Sequence, residues 1–126
     1  MTIVLIILSV VFSFASGIFK AICDLSEEGN FKSKSDYWNK HLSGRNKWEN
    51  GDKKQGEEFF GSSRWFVALT DGWHLFGVLF RISFAITYTC VGMLIKDSYW
   101  YSFGTLVAYI IFATSFHIFH TKILRA

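Results

Sequence analysis

The sequence predicts an all-α integral membrane protein with three transmembrane helices. Its apolar residues are concentrated in three blocks, 3–19, 73–95 and 99–119. Among all the Lys, Arg, Asp and Glu of the chain, Arg81 alone lies inside a block. Each block is close to the ~20 residues that a helix needs to cross the ~30 Å hydrocarbon core of a bilayer. The chain is 51% hydrophobic and 19% aromatic, which is more than a soluble domain of 126 residues could bury. We therefore expect one membrane domain over residues 1–126.

The first predicted helix covers about residues 2–22. No Lys or Arg precedes it, so the basic segment that begins a cleaved signal peptide is missing, although the small residues 15–17 leave cleavage as an alternative. Small residues that share a helix face allow helices in lipid to approach closely. Ser9, Ser13 and Gly17 predict such a helix-pairing face. The alternative is that their spacing arose by chance.

A polar loop follows over about residues 23–62, and it mixes aromatic residues with charges of both signs. Between residues 20 and 64 there are nine Lys and Arg against eight Asp and Glu. This near balance argues against a nucleic-acid surface. Aromatic side chains interleaved with lysines favour an amphipathic segment that lies on the bilayer surface, with docking to a partner protein as the alternative.

The distribution of basic residues predicts the orientation in the membrane. Nine Lys and Arg lie between residues 20 and 64 and two more in the C-terminal tail, whereas Lys96 alone lies between the second and third apolar blocks. Basic loops remain on the cytoplasmic side of a membrane. We expect a multi-pass protein of the inner (cytoplasmic) membrane, with the N-terminus outside and the long loop and C-terminus inside.

The second and third helices are predicted at about residues 63–95 and 98–122, with Ser62 or Ser63 as the N-cap of the former. A tight turn at Lys96 and Asp97 would fold them into an antiparallel hairpin. On a helical wheel the second helix carries Arg81, Ala85, Tyr88 and Gly92 on one stripe, and the third carries Ser102, Tyr109 and Ala113. In the hairpin register large residues of one stripe oppose small residues of the other, which predicts a tight seam between these two helices.

Arg81 is predicted to lie well inside the bilayer, where an unpaired charge is costly by at least ~2.5 kcal/mol. It should therefore snorkel to the interface or find an acceptor. The candidate partners are Tyr88, Tyr109 or a carboxylate of a second subunit.

Four side chains near one end of the hairpin could carry chemistry. The hairpin register brings Asp71, His74, His117 and His120 to neighbouring depths. Imidazoles with a carboxylate could bind zinc, and two imidazoles could hold a haem iron. The spacing matches no established metal motif, so hydrogen-bonded structural histidines are the favoured interpretation, with a metal or haem site and a protonatable relay as alternatives. Cys23 and Cys90 imply neither a disulfide nor a metal.

Residues 50–63, continuing through 69–74, form a block that resembles short uncharacterised bacterial multi-pass membrane proteins. The block covers about a quarter of the chain, and the resemblance implies a membrane location without an activity. The size and the three-span layout also resemble phage holins, although here the charge lies in the loop after the first helix.

The sequence contains no nucleophile–base pair, no phosphate-binding glycine loop and no paired carboxylates within the apolar blocks. We therefore expect a non-enzymatic small membrane subunit or scaffold that associates, through helix contacts in lipid, with itself or with other membrane proteins. The alternatives are a metal- or haem-binding electron-transfer or sensing subunit and a holin-like pore.

Overall fold

The computed structural model describes residues 1–33, 35–95 and 98–125, without the side chains of Ser98, Tyr99 and Ser102. Within these residues the regular structure is helical: α1 (Thr2–Glu28), α2 (Gly72–Leu94) and α3 (Ser98–Ile118), which continues as a π-helical turn (Phe119–Ile123). Each of the three is long and apolar enough to cross a membrane. The predicted all-α chain with three candidate transmembrane helices is confirmed.

The ends of the helices differ from the predicted bounds for local reasons. α1 continues six residues past the expected end and stops at Gly29, whose φ of 71° is in the left-handed region and whose N–H donates to the Leu25 carbonyl. Glycine adopts this conformation without steric cost, so it ends helices readily. α2 begins at Gly72 instead of residue 63, and Asp71 is its N-cap, whose side chain accepts the His74 N–H. The Ser62 hydroxyl, predicted as a cap, donates to the Lys47 carbonyl at 2.7 Å.

The main departure from the sequence prediction is the packing order of the helices. α1 is the central helix and packs extensively along α2 and, to a lesser degree, along α3, whereas α2 and α3 contact each other sparsely. Their contacts lie beside Gly104, near Val91 and Ile95, and at Phe112, whose ring is 5.9 Å from that of Phe84. The tight α2–α3 seam predicted from the wheels is therefore not the main interface. The predicted turn at Lys96 and Asp97 lies outside the described residues.

The core is concentrated at the end of the helices that carries the long loop, called here the loop end. It is formed by Ile22, Leu25 and Phe31, with Trp38 and Phe76 packed against them. The Trp38 ring stacks on Phe31 at 4.4 Å and on Phe76 at 5.7 Å. Part of the loop is thus folded onto the helices and buries an aromatic side chain among them.

The rest of the loop is a compact series of turns. It contains five short 3₁₀ segments: Asp36–Trp38, Lys40–Leu42, Glu49–Gly51, Lys53–Gln55 and Val67–Leu69, counted over its described residues. Glu57 organises one turn, because its carboxylate accepts the N–H groups of Gly61 at 2.9 Å and Ser63 at 3.1 Å and also the Ser63 hydroxyl. Side-chain acceptors of this kind satisfy backbone donors that no helix or strand pairs.

The loop and the C-terminal segment meet at the loop end. The Lys32 N–H donates to the Leu124 carbonyl at 2.8 Å, and Phe31 and Arg125 form an isolated antiparallel bridge. The long loop and the C-terminus therefore lie at the same end of the helices.

Candidate functional site

Asp71 is the single acid of the predicted four-residue cluster, and it acts as the cap of α2. Its side chain is fully buried. One carboxylate oxygen accepts the His74 N–H at 2.8 Å, and the other lies 2.7 Å from His74 Nδ1 and accepts the Thr70 hydroxyl at 3.2 Å. A carboxylate at this position satisfies free N–H groups and interacts favourably with the helix dipole. Burial, assisted by the Asp71 charge, also raises the pKa of Tyr37.

The two histidines of α3 and its π-helical turn are engaged elsewhere. His120 Nε2 lies 3.2 Å from the Glu28 carboxylate at the end of α1, and its ring stacks on Phe116 at 5.1 Å. His117 is exposed. α3 packs on α1 and not along α2, so its histidines do not join His74.

The metal or haem site considered from the sequence is therefore not assembled. Among the described residues no three His, Cys, Asp or Glu side chains form a group that could hold a metal ion. The predicted cluster of Asp71, His74, His117 and His120 is divided into an Asp71–His74 pair, a His120–Glu28 pair and an exposed His117.

The two tyrosines considered as partners of Arg81 line a different cavity from the one that Arg81 lines. Tyr88 and Tyr109 both line a small gap beside Ser13, and their rings pack against Phe84 and Phe112. Arg81 is exposed and lines a different cavity, nearer the loop end. Within the described residues Arg81 forms no hydrogen bond or ion pair.

The small-residue face predicted on α1 is largely where the helices meet. Ser13 and Ser16 are buried, and the Ser13 hydroxyl donates to the Ala108 carbonyl of α3. A Cβ added to Gly17 would lie 1.8 Å from Ser115 Oγ and 2.5 Å from the Phe112 carbonyl oxygen. Ser9, by contrast, donates to the Ile6 carbonyl of its own helix. Small residues at the crossing thus let α1 and α3 approach closely.

The packing residues predicted on α2 and α3 have different surroundings from those expected. Ala85 and Gly92 are exposed, Ala113 is half-buried, and the side chain of Ser102 lies outside the described residues. α2 instead turns Ser83, Thr87, Cys90 and Val91 inward. Of the predicted α2 stripe, Arg81, Ala85 and Gly92 are exposed, whereas Tyr88 lines the gap beside Ser13.

The exposed part of this stripe, together with the neighbouring Thr89, is called here the outer face of α2, and it consists of Arg81, Ala85, Thr89 and Gly92. All four are exposed. At 100° per residue they lie opposite Ser83, Thr87 and Cys90, which are buried. The hydroxyl of Thr89 donates to the Ala85 carbonyl at 2.9 Å, so its polar group is satisfied within the helix. The outer face therefore combines small side chains with one charge.

A groove between α1 and α2 at the loop end, called here the loop-end groove, is the second feature outside the core. It has a volume of about 450 Å³ and is bounded by Lys20 and Asp24 of α1 and by His74, Gly77 and Arg81 of α2. The Lys20 ammonium pairs with the Asp24 carboxylate. The Lys40 ammonium from the loop pairs with Glu27 and lies 4.6 Å from the centre of the Trp73 ring, and both of these residues also border the groove.

Two functional features were missed in the sequence, although signals for them exist. Ser115 is fully buried and its hydroxyl donates to the Phe14 carbonyl at 2.8 Å. The small residues Gly104 and Ala108 at a spacing of four could have indicated that this side of α3 is the packing side. Gly77 borders the loop-end groove beside Arg81, and the spacing of four residues could have indicated that the two lie on one side of α2.

Comparisons with known proteins give no relative. No family model, no curated protein and no solved structure matches the chain. The resemblance of residues 50–74 to short bacterial membrane proteins therefore stays a prediction.

Proposed function

We propose that this protein is a non-enzymatic subunit or scaffold of a membrane assembly, in which the outer face of α2 packs against a transmembrane helix of another subunit, either a second copy or a different protein. In this proposal the chain lies in the cytoplasmic membrane, with its N-terminus outside and its loop end in the cytoplasm. The orientation is supported by the excess of Lys and Arg at the loop end.

One observation carries the proposal: Ala85, Thr89 and Gly92, the small residues of one α2 stripe, are exposed instead of being buried between the helices of the chain. Lipid tails are as apolar as leucine, so a lipid-exposed helix face gains nothing from Ala85, Thr89 and Gly92. Small residues instead reduce the distance at which a second helix can pack, because backbones then approach each other directly. The charge of Arg81 at one end of the same stripe also disfavours full exposure to lipid.

The experiment is a measurement of oligomeric state by native mass spectrometry in mild detergent. A double variant, Ala85→Leu with Gly92→Leu, places bulk on the outer face without entering the core, because a Cβ on Gly92 would meet only Tyr101, at 3.7 Å. We expect the wild type to be associated and the variant to dissociate with unchanged helix content. The control, Thr114→Leu on the exposed side of α3, should remain associated. A monomeric wild type contradicts association with a second copy, and a double variant that associates as well as the control contradicts the use of the outer face.

A further inference from the structure

The loop-end groove contains one cation whose charge nothing in the described chain compensates. The two lysines at the groove are each paired with a carboxylate, Lys20 with Asp24 and Lys40 with Glu27. The Asp71 charge is directed into the N-terminus of α2 and onto His74. Arg81 has no such partner among the described residues. The formal charges of Lys20, Arg81, Asp24 and Glu27 in the groove lining cancel, but Lys40 from the loop also pairs with Glu27. Arg81 is therefore left without an ion-pair partner among the described residues.

Helix geometry directs the Arg81 side chain into this groove. Side chains of an α-helix lean toward its N-terminus, and the N-terminus of α2 is at the loop end. Arg81 is nine residues into α2, so its Cα lies ~13.5 Å from the start of the helix at 1.5 Å per residue. Gly77, one turn nearer the loop end, has no side chain to obstruct this course, and a Cβ there would meet only Cys23 Sγ, at 3.9 Å. The guanidinium can thus extend from the apolar zone toward the interface, as snorkelling arginines do.

We propose that the loop-end groove binds the phosphate group of an anionic membrane phospholipid, with Arg81 as its principal ligand. A guanidinium forms short, bidentate hydrogen bonds with phosphate oxygens. The groove volume of about 450 Å³ is within the range of ~300–1,000 Å³ that is usual for ligand sites. Lys20, which is 37% exposed, lies beside the same space and adds a second donor. The acyl chains would extend along the apolar surfaces of α1 and α2 toward the bilayer centre.

The choice of a phospholipid over a carboxylate from another subunit follows from the shape of the site. The groove has walls from two helices of the same chain, α1 and α2, so a ligand must enter between them. A transmembrane helix docked on the outer face of α2 would cover Ala85 and Gly92, which lie nearer the opposite end of α2. The two sites adjoin at Arg81, but the groove is formed by α1 and α2 of one chain, so the lipid site does not depend on the proposed assembly.

Native mass spectrometry of the full chain, delipidated in mild detergent, tests the site. Phosphatidylglycerol is the anionic probe, and phosphatidylcholine with the same acyl chains is the neutral one. We expect phosphatidylglycerol to bind more tightly, and Arg81→Gln to weaken its binding roughly tenfold, the loss that follows from a charge-assisted hydrogen bond of about 1.5 kcal/mol. Arg81→Lys should retain part of the affinity. Lys122→Gln removes the same charge from an exposed position outside the groove and should have no such effect.

Gly77→Leu provides a test that leaves every charge in place. The leucine side chain should fill the groove and reduce phosphatidylglycerol binding as Arg81→Gln does. If Arg81→Gln fails to fold, binding by Gly77→Leu is the test of the lipid site. Equal binding of the two lipids by the wild type, an Arg81→Gln effect no larger than that of Lys122→Gln, or unchanged binding by Gly77→Leu would each overturn the proposal. The same spectra report oligomeric state, so a failure of the lipid site is distinguishable from a failure of subunit association.

Discussion

At the scale of single residues, Asp71 shows how an acidic side chain is accommodated at the end of a helix that is long and apolar enough to cross a membrane. Its carboxylate is fully buried, yet it accepts hydrogen bonds from the helix backbone and from Thr70 and contacts His74. A buried acid without partners would be strongly unfavourable. The sequence placed Asp71 beside His74 correctly, because residues three apart share a helix face. It could not reveal that the α3 histidines lie elsewhere, since that depends on the packing order of the helices.

Asp71→Ala should destabilise the fold by about 1–2 kcal/mol, the usual cost of losing an N-cap side chain. The cost rises if the Thr70 hydroxyl and the His74 ring nitrogen find no other hydrogen-bond partner. Asp71→Asn keeps one acceptor oxygen for the His74 N–H and should cost less. Thermal unfolding in mild detergent, followed by circular dichroism, measures both. The control is Asp36→Ala, which removes an exposed acid from the loop. An Asp71→Ala variant as stable as this control would exclude the capping role.

Glu57 gives the loop a dependence on pH. The Ser63 hydroxyl, with the N–H groups of Gly61 and Ser63, lowers the pKa of Glu57 below its ordinary value of 4.5. A carboxylate whose pKa is lower in the folded state contributes stability above its unfolded pKa and loses that contribution as the pH falls through the folded pKa. Hydrogen-exchange protection of the Gly61 and Ser63 amides should therefore decrease as the pH falls below about 4.5. Glu57→Gln should lower this protection at neutral pH and remove most of its dependence on pH; an identical profile in the two proteins would refute the assignment.

At the scale of elements, the three helices could be predicted but their contacts could not. Length and apolarity are properties of each segment alone, whereas packing depends on which small-residue face is used. α2 has two such faces: the inward one with Ser83 and Thr87 and the outer one with Ala85 and Gly92. The Thr87 hydroxyl bonds within its own helix, to the Ser83 carbonyl at 3.0 Å, as that of Thr89 does. Hydroxyl residues on both faces are thus satisfied locally, and hydropathy does not distinguish the faces.

The glycines of α1 and α2 provide a direct test of these contacts. Gly17→Ala should destabilise the fold by about 1–3 kcal/mol through overpacking, because the new Cβ would collide with Ser115 and with the backbone at Phe112. Gly92→Ala adds the same atom at an exposed position, where it would be in ordinary van der Waals contact with Tyr101 at 3.7 Å. It should be neutral or slightly stabilising, since alanine favours a helix by ~1 kcal/mol over glycine. Thermal unfolding of the two variants decides between the α1-centred fold and the α2–α3 seam. The seam interpretation predicts the opposite order.

At the scale of the whole molecule, the long loop and the C-terminus form one unit with the ends of the helices. Trp38 packs into the core from the loop, and Leu124 contacts the same cluster from the C-terminal side. The sequence indicated only that the two segments share a side of the membrane, from the number of crossings and the basic residues. Their direct contact depends on the backbone pairing of Lys32 with Leu124, for which the side-chain pattern contains no signal.

Labelling of intact cells with a membrane-impermeant thiol reagent tests this arrangement and its orientation together. Cys23 and Cys90 are free and buried, and replacing both with alanine gives a background for single cysteines. Gly44→Cys reports the loop, where a Cβ would meet nothing within 4 Å, Thr121→Cys reports the C-terminal end, and Ser98→Cys reports the connection between α2 and α3. We expect Ser98→Cys to be labelled from outside and the other two to be protected until the cells are lysed, because basic segments stay in the cytoplasm. Labelling of Gly44→Cys and Thr121→Cys alone would reverse the orientation while preserving the fold. Labelling of one of these two without the other would contradict the fold itself, because Lys32 and Leu124 could then not be paired.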